Sequence, residues 1–192
     1  MRRAPAYTAR GAAVSCVLAT LLAACGSGGS SAEPVPPTAY VRSVCQAMVR
    51  WNSDVAAAFR ATDARPDSDS SASIRRDMLA FLDAIQDATD AAGRRVGEAG
   101  VPELPDGDRV AGELRDALTT AAAALTENRA SFAAIPATDV QPAASIEGTM
   151  TTVAEQFDAV RASVQRLDDR SPALRDARRD DPSCKEFDSN AP

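Results

Sequence analysis

Between residues 146 and 167, apolar side chains recur at alternating steps of four and three: Ile146, Met150, Val153, Phe157, Val160, Val164 and Leu167. That spacing puts all of them on one stripe of an α-helix, and such a stripe must be buried against another surface. Three further stripes precede it. The first is Val41, Cys45, Met48, Trp51 or Asn52, Val55, Phe59 and Thr62, with Thr38 as a candidate N-cap. The second is Ile74, Met78, Phe81 with Leu82, Ile85, Thr89, Ala92 and Val96, opened by Ser71 or Ser73. The third is Val110, Leu114, Leu118, Ala121, Leu125, Asn128, Phe132 and Ile135.

Turn-forming residues separate the stripes: Pro66 among Asp and Ser in 63–70, Gly100 with Pro102, and Pro136 followed by the loop 137–144. Four amphipathic segments joined by short loops predict an all-α fold, an antiparallel up-down four-helix bundle. Ser171 followed by Pro172 reads as a cap with proline at the first helical position, which predicts a short fifth C-terminal helix through Arg179. The helical domain is expected over residues 38–188, with a disordered tail at 189–192. Composition agrees with this class. About a fifth of the residues are Ala, all but one of the basic residues are Arg, and the β-branched and aromatic runs that strands need are missing.

The N-terminus has a different character. Arg2, Arg3 and Arg10 precede an apolar run from Gly11 to Ala24, the layout of a secretory signal. A lasting membrane span needs about 20 apolar residues, more than this run supplies. The run ends in Leu22-Ala23-Ala24-Cys25, and Gly26-Ser27-Gly28-Gly29-Ser30-Ser31 follows at once. This site resembles the lipobox of bacterial lipoproteins. The resemblance implies that residues 1–24 are a signal peptide, that Cys25 carries acyl chains, and that the domain stands at the outer face of the cell membrane. Residues 25–37 then form a flexible Gly/Ser/Pro tether. The alternative is ordinary secretion with Cys25 left as a thiol; Arg2-Arg3 also raises twin-arginine export, although Ala4-Pro5-Ala6 lacks the usual apolar continuation.

On that processing Cys16 is removed and Cys25 acylated, which leaves Cys45 and Cys184. In an oxidising compartment two remaining cysteines are expected to form one disulfide, tying the first helix to the C-terminal end; two unpaired buried thiols are the alternative. Charge narrows the partners. Residues 1–24 hold three arginines and no acid, so 18 basic and 27 acidic side chains remain beyond them, a net charge near −9. Such a surface repels nucleic acid and anionic headgroups alike, so no nucleic-acid partner is expected and membrane attachment falls to the acyl chains.

The chain has no histidine, which removes the commonest general base and metal ligand. No cofactor and no metal are expected. Asp106-Gly107-Asp108 lacks the alternating oxygen ligands and closing Glu of a calcium loop and reads as a helix start. Asp168-Asp169 and Asp180-Asp181, near Arg170, Arg178 and Arg179, read as a solvated charged face, with a binding patch as the sharper alternative. Thr89 and Asn128 are polar at expected core positions, where a satisfied polar pair competes with the lining of a ligand cavity. Trp51, the single tryptophan, is expected at the edge of the core rather than as an exposed anchor. Glu113, Glu127 and Glu155 fall between the stripes, at ordinary surface positions, so no enzymatic activity is expected.

The layout Tyr40-Val41-Arg42-Ser43-Val44-Cys45, with Trp51 six residues on and Cys184 before Glu186-Phe187, resembles the small helical lipoproteins of actinobacteria. That resemblance implies a cell-envelope protein and names no activity. Two functions are compatible with this reading: a tethered protein-binding or scaffolding module with an envelope protein as partner, or a carrier or sensor holding a small apolar ligand between its helices.

Overall fold

The computed structural model describes residues 34–63, 70–136 and 142–189. The signal peptide, Cys25, most of the tether and residues 190–192 lie outside the described residues, as do 64–69 and 137–141 of the two expected loops. The fold is the expected all-α antiparallel bundle. Its long helices are α1 (Pro37–Asp63), α2 (Ser71–Gly97), α3 (Gly107–Ala134) and α4 (Pro142–Gln165). Three short helices follow: α5 (Leu167–Arg170), α6 (Pro172–Asp180) and α7 (Pro182–Ser189). Two residue pairs make a small parallel ladder between β1 (Pro34–Val35) and β2 (Val101–Pro102).

Cross-helix pairs fix the directions. Trp51 meets Thr89 and Phe59 meets Phe81, so α1 and α2 run antiparallel. Asp83 pairs with Arg129, and Gly93 faces Leu118, which sets α3 antiparallel to α2. Asn128 donates its Nδ2 hydrogen to the Thr149 carbonyl at 3.0 Å, joining α3 to α4. The seam between α1 and α4 is closed differently. The Trp51 and Phe157 rings meet edge to face with centroids 4.8 Å apart, and α7 docks on α1 beside them.

Local chemistry explains most of the helix boundaries. The Pro36 carbonyl accepts from the amides of Ala39 and Tyr40, so α1 starts at Pro37, whose fixed φ suits the first turn. Thr38 therefore lies inside the helix and is not its cap. The cap of α2 is Ser70 and not Ser71 or Ser73: its Oγ accepts from the Ser73 amide at 3.2 Å, while the two hydroxyls lie 2.7 Å apart. Beyond α2, Gly100 takes φ 82°, a conformation glycine adopts without steric cost. The chain then turns through β2, and the Glu103 amide donates to the Val35 carbonyl at 2.8 Å. Pro34 and Val35, the first described residues of the expected tether, thus belong to the fold. Gly107 opens α3 against the Pro102 carbonyl; a Cβ there would sit 2.0 Å from that oxygen, so only glycine fits.

The C-terminal end departs most from expectation. The predicted fifth helix exists as α6, capped by Ser171, whose Oγ accepts from Ala173 and Leu174, with Pro172 in the first turn. Asp181-Pro182 repeats the device. The Asp181 carboxylate accepts from the Ser183 amide at 2.9 Å, and α7 follows. With α6 and α7 packed on one side and α2 on another, α1 is buried around much of its circumference. Tyr40, Val44 and Ala47 join Val41, Cys45, Met48 and Trp51 in the core.

Trp51 is central, not peripheral. It is 1 % exposed, and its indole N–H donates to Thr89 Oγ1 at 3.2 Å, while the Thr89 hydroxyl donates to the Ile85 carbonyl at 2.9 Å. The polar stripe position at Thr89 is therefore a satisfied pair. Tyr40 is not satisfied: its hydroxyl is buried and has no hydrogen-bond partner. Burial pushes that hydroxyl up to about 12, against the opposing influence of the Arg115 guanidinium. The unfolded chain ionises near pH 10, so stability is full below that pH and falls as the pH rises from 10 toward 12. Tyr40→Phe removes an unpaired buried polar group. It should raise stability by about 1 kcal/mol and flatten the alkaline decline, read by denaturant unfolding at a series of pH values. A less stable variant would mean that the hydroxyl has a partner.

Candidate functional site

A disulfide, a cation–π contact and a set of ion pairs gather where the α6–α7 clip meets α1 and α4. Cys45 and Cys184 form a disulfide with Cα atoms 4.9 Å apart, and both residues are buried. Cys45 comes two turns into α1 and Cys184 in the first turn of α7, so the bond joins one helix start to another. Phe187, one turn further along α7, is fully buried and lies under the Arg161 guanidinium of α4, 5.9 Å from ring centroid to Cζ. Arg42 donates its Nε hydrogen to Asp181 Oδ2 at 3.3 Å, tying the turn between α6 and α7 back to α1.

The charged residues of this region divide. Arg178 keeps only 10 % of its side chain exposed. It donates from Nη1 to Asp168 Oδ2 at 2.6 Å and from Nη2 to the Asp188 carboxylate at 2.6 and 2.7 Å. Asp181 is also buried. For these residues the expectation of a solvated face is overturned, because the turn after α6 folds Asp188 back toward Asp168 with Arg178 between them. Asp169, Asp180 and Arg179 remain exposed, and Arg179 pairs locally with Asp176 at 2.8 Å. Arg170 reaches Glu113, which also accepts from Arg109 at 2.9 Å.

The other sequence candidates fall elsewhere. Asp106 pairs with Arg109, Gly107 is pressed on Pro102, and among the described residues no group of three or more His, Cys, Asp or Glu is gathered in metal-binding geometry. Asn128 is half-buried and lines a groove of about 460 Å³ between α3 and α4, with Phe132 and Ile135 on one side and Gly148 and Thr152 on the other. A second groove of about 500 Å³ runs between α1 and α7, past Val49, Ala56 and Phe187. A third hollow, of about 350 Å³, lies between α1 and α2. Glu127 sits beside the first of these, and Glu155 is exposed on α4.

No family model, curated protein or solved structure matches this chain. Its candidate site is therefore defined by its own geometry. The clip supplies a helix pair packed on α1. Sequence reasoning missed α7 and the role of Arg178. The Asp181-Pro182 dipeptide, a cap followed by proline, was the available signal for α7. Nothing in the local pattern marked Arg178, whose two partners each lie ten residues away.

Two outcomes test the clip. Joint replacement of Cys45→Ser and Cys184→Ser should cost about 4 kcal/mol, since the bond closes a loop of 139 residues; a loss below about 1 kcal/mol would mean that the docked clip needs no covalent closure. Arg178→Ala should cost about 2 kcal/mol, and Arg178→Lys should recover little, because an ammonium cannot serve two carboxylates with a planar fork. Urea titration followed through Trp51 fluorescence reads both.

Proposed function

We propose that this protein is a cell-envelope lipoprotein, held at the outer face of the membrane through an acylated Cys25, whose bundle serves as a protein-binding or scaffolding module for an envelope partner. The observation that carries the reading is the placement of Leu22-Ala23-Ala24-Cys25 directly after an apolar run and before a Gly/Ser spacer. The fold is compatible with it. Eight residues lie between Cys25 and Pro34, the first described residue, a reach of at most about 30 Å when extended. Among the described residues no helix is long and apolar enough to cross a membrane. Acyl chains would supply the attachment, at about 0.8 kcal/mol per buried methylene.

The state of the core supports a binding module over a carrier. Trp51, Phe132, Phe187, Met48, Leu82 and Ile85 fill the space between the helices, and the hollows described above open at the surface. A rigid framework with grooves between its helices is suited to presenting side chains to a partner.

Cys25→Ala is the direct test. The variant should move from the membrane fraction to the soluble fraction, and the wild-type N-terminal peptide should carry the mass of an acylated cysteine. Retention of the variant in the membrane would refute the anchor. In-envelope crosslinking of the wild type should then recover a reproducible protein partner; recovery of free monomer alone would refute the scaffolding role.

A further inference from the structure

The hollow between α1 and α2 is lined by three charged side chains, Arg50, Arg95 and Glu98. Its floor is made by Ala47 and Ala99, both buried, whose small side chains leave room between the helices. Arg50 on α1 and Arg95 on α2 stand on opposite walls, with Gln46 one turn below Arg50. Glu98, three residues beyond Arg95, is the C-cap of α2. Arg95 is only loosely neutralised: Asp54 lies 3.6 Å from its Nη1, too far for a hydrogen bond, and that nitrogen is buried without a hydrogen-bond partner.

Arg50 and Glu98 line the same hollow with opposite charges, yet among the described residues neither forms an ion pair within 4.0 Å, with the other or with any third group. Elsewhere on this surface, Arg42, Arg109, Arg129, Arg170 and Arg178 each reach a carboxylate, while Arg60 and Arg94, like Arg50, form no ion pair among the described residues. The hollow is open to solvent, and its volume of about 350 Å³ falls at the small end of the range for ligand sites.

We infer that this hollow is a binding site for a small zwitterion, whose oxyanion is gripped by Arg50 and Arg95 and whose amine is held by Glu98. The chemistry suits both ends. Guanidinium forks give parallel, charge-assisted hydrogen bonds to phosphate or carboxylate oxygens. A carboxylate beside them disfavours a bare anion and favours a ligand that carries its own cation. The alanine floor accepts the short methylene link between the two groups. The site lies apart from the clip, and it does not depend on the lipid anchor proposed above.

Calorimetric titration of the full chain tests it, with phosphoethanolamine and β-alanine as probes and with inorganic phosphate and ethanolamine as their separate halves. At least one zwitterion should bind saturably and at least tenfold tighter than either half; which of the two binds better identifies the oxyanion as phosphate or carboxylate. Arg50→Gln should weaken that binding at least tenfold. Glu98→Gln should weaken the zwitterion while leaving inorganic phosphate as tight as before or tighter. Both substituted side chains are exposed, so thermal unfolding of the variants should match the wild type. Absence of binding by both zwitterions, or equal binding by wild type and Arg50→Gln, would overturn the site.

Discussion

A single covalent bond, Cys45–Cys184, holds the short C-terminal helices in register with the first. Helices of four, nine and eight residues are too short to persist alone in water, so α5, α6 and α7 depend on what they dock against. The disulfide fixes the start of α7 on α1. From there Phe187 is carried into the α1–α4 seam, where Arg161 covers its ring. Arg178, clamped by Asp168 and Asp188, then locks α5 and α7 to the helix between them. One consequence is that α1, the first helix in sequence, is among the most enclosed in space.

That enclosure makes the polar groups of α1 consequential. The Trp51 indole finds Thr89, which passes its own hydrogen on to Ile85, so a large aromatic fills the centre without an orphaned donor. Tyr40 has no such relay and carries an unpaired hydroxyl at the end of the bundle where the chain enters. The same helix presents Arg50 outward, to the hollow shared with α2, where a charged side chain faces solvent and a carboxylate across open space.

How far the fold was legible can be judged helix by helix. The stripe from Ile146 to Leu167 predicted α4 because alternating steps of three and four have no other regular solution, although α4 begins at Pro142, inside the expected loop 137–144, and Leu167 opens α5; the other three stripes match α1, α2 and α3 to within about a turn. The cap of α2 was misplaced by one residue because Ser70, Ser71 and Ser73 are chemically equivalent until the backbone selects one. Trp51 and Asn52 could not be ranked from a stripe alone. Their order was settled by Phe157, which comes from a helix more than a hundred residues later. The α1–α2 hollow was not legible at all, since Arg50 and Arg95 meet only after the two helices pack.

By itself, the sequence determined the class of fold, the number and approximate limits of the long helices, and the two cysteines that could join. Those properties follow from periodicity, caps, prolines and a count of thiols, all of which act over a turn or along a single chain. The tertiary structure alone decided that α1 would be enclosed by α2, α6 and α7, that Arg178 and Asp181 would be buried among partners, and that Arg50, Arg95 and Glu98 would face one hollow. Burial and the pairing of charges depend on which surfaces meet, and a periodic pattern marks a face for burial without naming the neighbour that covers it.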